Sequence, residues 1–431
     1  MSPTKTPPPS RLRAAVAPSL LREMNQQLLL DLLFGTGPVT RPQLAREAGL
    51  SQPTVFAALS DLEKGGLVRP AGRPEVSSGR PAVLYEANPS AGSVVGVDIG
   101  RNWLHLVLAD LSGRELARLD VRNTTHTSRT LVDLVRKSVD QVTARADLGT
   151  GDVTHTVVGS PGVLDAQRGQ VKYARNLPGW QRPGLAEALA DKLGGSLTID
   201  NDANLAALGE YTFGSARQAQ QFAYLHIGTG VGLGLVIDGK LYRGFSGSAG
   251  EVGYLPILGE PTVAEPEWPQ RGMLEMALAA DAVVRYATDA GMTGDIRAED
   301  VFVAAANGDP AAAAAVLTEA KVLARLVTGI CAFFDPELVV VGGGVGQNFA
   351  QLEPAMREEM TRFAPMRPRM RAGDLGADAV VRGAIATGIH AAREIVFTRH
   401  LARTSSGEDE TTDAEAERPA TADRSGGSSR A

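Results

Sequence analysis

Cysteine is almost missing from this 431-residue chain: there is one, Cys331. A single thiol excludes an internal disulfide framework and any multi-thiolate zinc site. Six scattered histidines give little material for a metal cluster either. No run of 18 or more apolar residues occurs, so no bilayer-spanning helix is expected. The opening MSPTKTPPPS lacks the apolar stretch of a secretory signal and reads as a disordered lead-in. These absences point to a soluble, cytoplasmic, metal-free protein. What is present is ordinary for large cores: 43% hydrophobic and 21% charged residues, in a length that suits two to three domains.

The net charge of −6 is uneven. Residues 1–88 hold ten Lys/Arg against seven Asp/Glu, a balance of +3; residues 89–431 hold 33 against 42, a balance of −9. A basic head on an acidic body hints at a polyanion partner. Composition divides the chain into four parts. Residues 1–17 are a disordered lead and 18–88 a helical head ending in a turn-rich stretch. Residues 93–398 alternate β-rich runs with Ala-rich helical segments, an α/β pattern. Residues 404–431 have almost no large apolar side chains and are expected to be disordered.

In the head, Leu20, Leu21, Met24, Leu28, Leu29, Leu32 and Leu33 recur at helical spacing, which predicts an amphipathic helix over 20–34. A second helix is expected over 42–48. Ser51 is placed as the N-cap of a third, 52–64, which Gly65-Gly66 ends. The runs LVRPA and AVLYEAN, joined by GRPEVSSGRP, make a hairpin wing. Val55, Leu59 and Leu62 share the docking face of the third helix. The opposite face leaves Gln52 and Thr54 for base edges and phosphates and Phe56 for a thymine methyl, with Arg41 nearby. The wing tip carries Arg80, suited to a minor groove. The competing reading is a trihelical bundle for protein contacts; the GLSQPTV turn, the glycine helix end and the basic wing favour double-stranded DNA.

In the body, SVVGVDIG (93–100) is a buried strand ending in Asp98 and Gly100, opening a hairpin as actin-like and hexokinase-like ATPase lobes do. SLTIDNDANLAALGE places Asp202 where a strand ends and a helix begins. A carboxylate there caps the helix or acts as a general base toward a sugar hydroxyl. Gly228-Thr229-Gly230 forms a hairpin turn able to present backbone N–H groups to an anion. A further buried strand ends in Gly342 and Gly343, where close approach is possible.

In order, VGVDIG, PGVLD, NLPGW, IDNDANLAALGE, IGTGVGLGLVIDGKLYRG, AGEVG, GMLE and DPELVVVGGGV resemble the ROK family (repressors, open reading frames and kinases) over about 300 residues. The head resembles the winged helix of the family's repressors. The resemblance implies an α/β fold: a winged helix-turn-helix fused to a two-lobed actin/hexokinase-like (ribonuclease H-like) ATPase fold. It implies sugar binding at Gly162, Asn201, Asp202, Glu251 and Glu275, and nucleotide-type loops at Asp98, Gly100, Gly228, Thr229, Gly230, Gly342 and Gly343. Asp202 is the catalytic base if the chain is a kinase.

Three departures shape the functional expectation. Arg101 and Asn102 follow Asp-Ile-Gly where kinase members carry Gly-Thr, which argues against productive ATP binding. Tyr254 replaces a family histidine; its hydroxyl can still hydrogen-bond a ligand but is no imidazole. The three-cysteine zinc run is absent, so neither zinc nor another cofactor is expected. The expectation is a sugar-responsive transcriptional regulator, most simply a repressor of carbohydrate genes. Its partners would be operator DNA, a sugar or sugar-phosphate effector and further copies of itself, as a homodimer or homotetramer. The alternatives are a sugar kinase that also binds DNA, and a DNA-bound regulator controlled by a protein partner.

Overall fold

A computed structural model describes residues 18–72, 83–165, 168–174, 177, 179–256 and 271–406. The chain forms two compact units: one runs to Ala91 and includes the residues from Glu394 on, the other is Gly92–Arg393.

The first unit begins with α1 (Pro18–Thr36), β1 (Val39–Thr40), α2 (Arg41–Ala48), α3 (Gln52–Lys64), β2 (Val68–Pro70) and β3 (Leu84–Ala87), with the strands antiparallel in the order β1-β3-β2. Local chemistry sets the helix ends. Thr40 and Gln43 form a capping box on α2, and the Ser51 side chain accepts the Thr54 N–H to start α3. Leu29, Leu30, Leu33, Leu44, Val55, Leu59 and Leu62 are buried together. The buried stripe of α1 differs from the expected one. Leu20, Leu21, Met24 and Leu28 are 40–58% exposed; of the expected set Leu29 and Leu33 face the core, joined by Gln26 and Leu30. Gln26 and Arg22 both reach Asp61 on α3, at 3.1 and 2.6 Å, and so fix the rotation of α1.

The second unit repeats one topology. β4 (Ser93–Ile99), β5 (Trp103–Asp110) and β6 (Glu115–Arg122) form an antiparallel meander, followed by α4 (Ser128–Ala144). β7 (His155–Ser160) then lies parallel to β4. A small hairpin, β8 (Val163–Asp165) and β9 (Gln170–Lys172), and α5 (Leu185–Leu193) lead to β10 (Ser196–Asn201), parallel to β7. The sheet order is β10-β7-β4-β5-β6. After α6 (Asp202–Phe213) the same plan recurs. β11 (Phe222–Ile227), β12 (Val231–Ile237) and β13 (Lys240–Tyr242) are antiparallel neighbours.

Then come α7 (Met273–Leu278), α8 (Ala280–Asp289), α9 (Ala298–Ala306) and α10 (Pro310–Phe334). They lead to β14 (Leu338–Gly342), parallel to β11; α11 (Phe349–Phe363); β15 (Arg369–Ala372), parallel to β14; and α12 (Ala379–Ser406). The second sheet reads β13-β12-β11-β14-β15. The paired sheets with helical connections are the actin/hexokinase-like α/β arrangement. No fixed-period repeat in the sequence announces this duplication. Among the described residues no helix is long and apolar enough to cross a membrane.

One glycine contact holds α6 in place. Gly209 and Gly383 face each other so closely that a methyl on either would overlap a carbonyl oxygen, of Ala379 or Leu205 respectively. Only glycine allows such an approach of two helix backbones.

Candidate functional site

The carboxyl ends of β4, β7 and β10 and the β11–β12 turn converge on one cavity. It is lined by Asp98, Gly100, Arg101, Gly162, Tyr173, Asn201, Asp202, His226, Thr229, Gly230, Glu251 and Glu275, among others. Strand ends of α/β sheets leave such crevices because the chain turns away there. Of the sequence-derived sugar positions, Gly162, Asn201, Asp202, Glu251 and Glu275 come together here.

Each is locally determined. Gly162 has φ +82°, and a side chain there would overlap the Lys172 carbonyl, so the position admits only glycine. Its carbonyl accepts the Asn201 side-chain amide at 3.1 Å, while Asn201 Oδ1 caps α6 by accepting the Asn204 N–H at 3.1 Å. Asp202 opens α6 and accepts the Ala203 N–H at 2.7 Å. Glu275 accepts the Val231 N–H and Arg271 Nε, both at 3.4 Å. Arg271 also pairs with Asp281 at 2.6 Å. The end of the loop before Glu275 is thereby held by an ion-pair bridge. Residues 257–270, which hold most of the stretch where the sequence shows no zinc run, lie outside the described residues.

The site is electrostatically loaded. Burial, then the carboxylates of Asp202 and Asp378, push Asp98 up to about 8. Burial, then Asp202 and Glu275, bring Glu251 to about 7. Burial also raises Glu275. It raises Asp202 and lowers His226, each opposed by the attraction of the other. Carboxyls shared between protonated and ionised forms can donate to or accept from hydroxyls, which suits a polyol.

A second cavity adjoins, with Asp98 and His226 lining both; its other residues include Gly343, Gly344, Gln347 and Asn348. Of the expected nucleotide-type positions, Asp98, Gly100, Thr229, Gly230 and Gly343 line one cavity or the other. Gly228 and Gly342 line neither, as described. Gly342 instead lies under Tyr224, whose hydroxyl a methyl there would overlap.

Tyr254 ends a 3-10 turn, and its ring packs against that of Tyr173, centroids 5.6 Å apart; Tyr173 lines the cavity. Sequence reasoning missed Tyr173 and His226. The one available signal was a histidine inside the apolar run FAYLHI, directly before the glycine turn.

In the first unit, Gln52 is exposed at the start of α3 and Phe56 is 55% exposed on its outer face. The Thr54 hydroxyl bonds that of Ser51 at 2.8 Å. Arg41 sits between rings, 4.7 Å from the centroids of both Phe56 and Tyr85, and donates to the Tyr85 hydroxyl. It is thus a buttress for Phe56 as much as a free cation. Arg80 and the wing tip lie outside the described residues.

A winged helix-turn-helix joined to a duplicated actin/hexokinase-like body with a polyol-type cleft defines a two-part, ligand-binding DNA-binding protein. The chain belongs to the ROK family, which it matches over residues 94–389; residues 25–69 match the winged helix-turn-helix DNA-binding family. It is similar to the xylose repressor of Caldicellulosiruptor bescii, 30% identical over 75% of this chain and 84% of that one. A ROK family glucokinase from Streptomyces griseus, solved with glucose and AMPPNP, is 27% identical with TM-score 0.60, covering 69% of this chain and 100% of its own. A ROK family transcriptional regulator, described as a homologue of the E. coli MLC protein, has TM-score 0.73 over 89% of this chain and 99% of its own. At 22% identity that likeness speaks for the fold.

Proposed function

We propose that this protein is a sugar-responsive DNA-binding regulator that represses genes of carbohydrate uptake or catabolism. One observation carries the reading: a single chain joins an outward-facing recognition helix to a polyol cleft in which Arg101 follows the Asp98 strand end. The similarity to a protein named xylose repressor supports repression and a sugar effector. In the cleft, Asn201, Asp202, Glu251 and Glu275 would exchange hydrogen bonds with sugar hydroxyls, against the wall made by Gly162. On α3, Gln52 and Thr54 would meet base edges and phosphates and Phe56 a thymine methyl, with Arg80 in the minor groove. The protein would act in the cytoplasm as a homodimer or homotetramer, because winged-helix heads read paired half-sites. The exposed Leu20, Leu21, Met24 and Leu28 offer an apolar stripe for such self-association. Effector binding acts on DNA affinity only if the sugar prefers one conformation.

Retention of Asp202 beside Asp98 favours a second reading, a kinase that also binds DNA. The test is fluorescence anisotropy on the protein's own upstream DNA at one fixed salt concentration, with competitor DNA and a panel of free and phosphorylated sugars. Specific binding altered by one sugar supports the regulator. Sugar-dependent ATP hydrolysis would overturn it in favour of the kinase, and specific binding indifferent to every sugar would shift control to a protein partner.

A further inference from the structure

The first unit has a cavity of its own, about 320 Å³ in volume, where the end of α3 meets the last turns of α12. Lys64, Arg399, His400 and Arg403 are among its lining residues, and no Asp or Glu is. His400 is buried with its ring against Gly65, where a methyl would overlap Nδ1. The glycine that ends α3 thus also lets α12 dock beside it. One lysine in the last turn of a helix offsets the negative carbonyl end. Two arginines beside it exceed that role. Lys64 and Arg399 are exposed and make no ion pair or hydrogen bond with any described residue. Elsewhere in the unit exposed arginines are matched, Arg22 by Asp61 and Arg69 by Glu86. α12 ends at Ser406, about one helical turn past Arg403. Beyond it, residues 408–417 (EDETTDAEAE) carry six Asp or Glu and no Lys or Arg; they lie outside the described residues.

We propose that the acidic segment 408–417 occupies this cavity, its carboxylates set against Lys64, Arg399 and Arg403 of the same chain. Charge and attachment select it over a free anion or another protein. A run of carboxylates complements a cavity lined by cations alone. Its tether, a turn away, gives an effective concentration on the order of millimolar. Ten residues extend up to about 33 Å, so several carboxylates reach the cluster at once. Exposed ion pairs are weak singly and gain as a network on one tether. Held there, six negative charges stand beside a head whose own balance over residues 1–88 is +3. They reduce its attraction to any polyanion, while Gln52 and Thr54 at the other end of α3 stay open to bases. The docking does not depend on what the sugar cleft binds.

Carbodiimide cross-linking of the full chain at low salt tests this, because the reagent joins a carboxylate only to an amine beside it. Lys64 is the only lysine among the described residues of the first unit. Mass spectrometry of the digest should find Lys64 joined to a carboxylate of 408–417. In a mixture of 15N-labelled and unlabelled protein, each such pair should carry one isotope. Arg399→Gln leaves the amine in place and should lower the cross-link yield at least about threefold. The same variant should be cut within 408–417 by a Glu-specific protease about threefold faster than the parent, with its melting temperature unchanged. No cross-link to Lys64, or a yield and cleavage rate indifferent to Arg399→Gln, overturns the proposal. Mixed-isotope pairs overturn it too, since the tail would then belong to a second copy. So does inorganic phosphate that raises the melting temperature of the parent as much as that of a variant with all six carboxylates made amides, because the cavity would then stand open to free anions.

Discussion

Asn201 donates its side-chain amide to the carbonyl of Gly162, at 3.1 Å, while its oxygen caps α6. One residue thus joins the turn after β7 to the helix that begins with Asp202. Asn201→Asp keeps an acceptor for the cap but sets a carboxylate against a carbonyl. It is expected to lower the melting temperature and to weaken effector binding roughly tenfold. Asn201→Ala should lose both contacts, with about 1–2 kcal/mol of stability. Calorimetric titration and thermal melts on both variants check this; equal binding by all three proteins would show that the bridge is not part of the site.

The raised Glu251 makes stability fall with pH. Its folded value, about 7, lies above its ordinary 4.5, so the folded state holds the proton more tightly than the unfolded chain does. The cost of the buried carboxylate is absent below about 4.5, grows through the interval, and is complete above about 7. Glu251→Gln should therefore match the parent near pH 4.5 and melt higher at pH 8. Melting curves across that range in the absence of sugar decide it, and a variant less stable at pH 8 contradicts the assignment.

Arg41 is held between Phe56 and Tyr85. If its role is to set the Phe56 ring, Arg41→Ala weakens operator binding roughly fivefold through lost packing and leaves the salt dependence unchanged. A salt series by anisotropy separates the two cases. A slope reduced by about one would mean that Arg41 neutralises a phosphate instead.

Gly383→Ala should be severe, because the added methyl overlaps the Leu205 carbonyl and backbone cannot step aside as a side chain can. A loss of about 3 kcal/mol or more is expected by denaturant unfolding, against a near-neutral effect at the exposed Gly35, where a methyl meets nothing.

Much of the head was legible because its signals are local. Ser51 and the glycines after α2 and α3 fix ends by hydrogen bonds a few residues apart. The rotation of α1 was not, since Leu20 to Leu33 offer apolar residues on more than one face. The choice was made by Asp61, some 35 residues on, which receives Arg22 and Gln26. In the body, the strand-end motifs marked the cleft residues, but the duplicated sheets left no periodic trace. Buried strands such as 94–97 and 338–341 are uniformly apolar, and partner order depends on distant pairings. His226 was overlooked because one histidine in an apolar strand is read as core until the space on either side of it is seen.

The contact of Gly209 with Gly383 has a mechanical meaning. Most helix pairs meet through interdigitated side chains, whose rotamers absorb small displacements as a spring absorbs load. Between α6 and α12 there is no such layer at this point, only backbone on backbone. A joint of that kind has no slack: when the Asp202 end of α6 shifts, α12 must travel with it or the contact must part. Two hydrogen atoms in place of side chains thus act as a stiff linkage inside the second unit, tying the start of α12 to the helix that opens at Asp202.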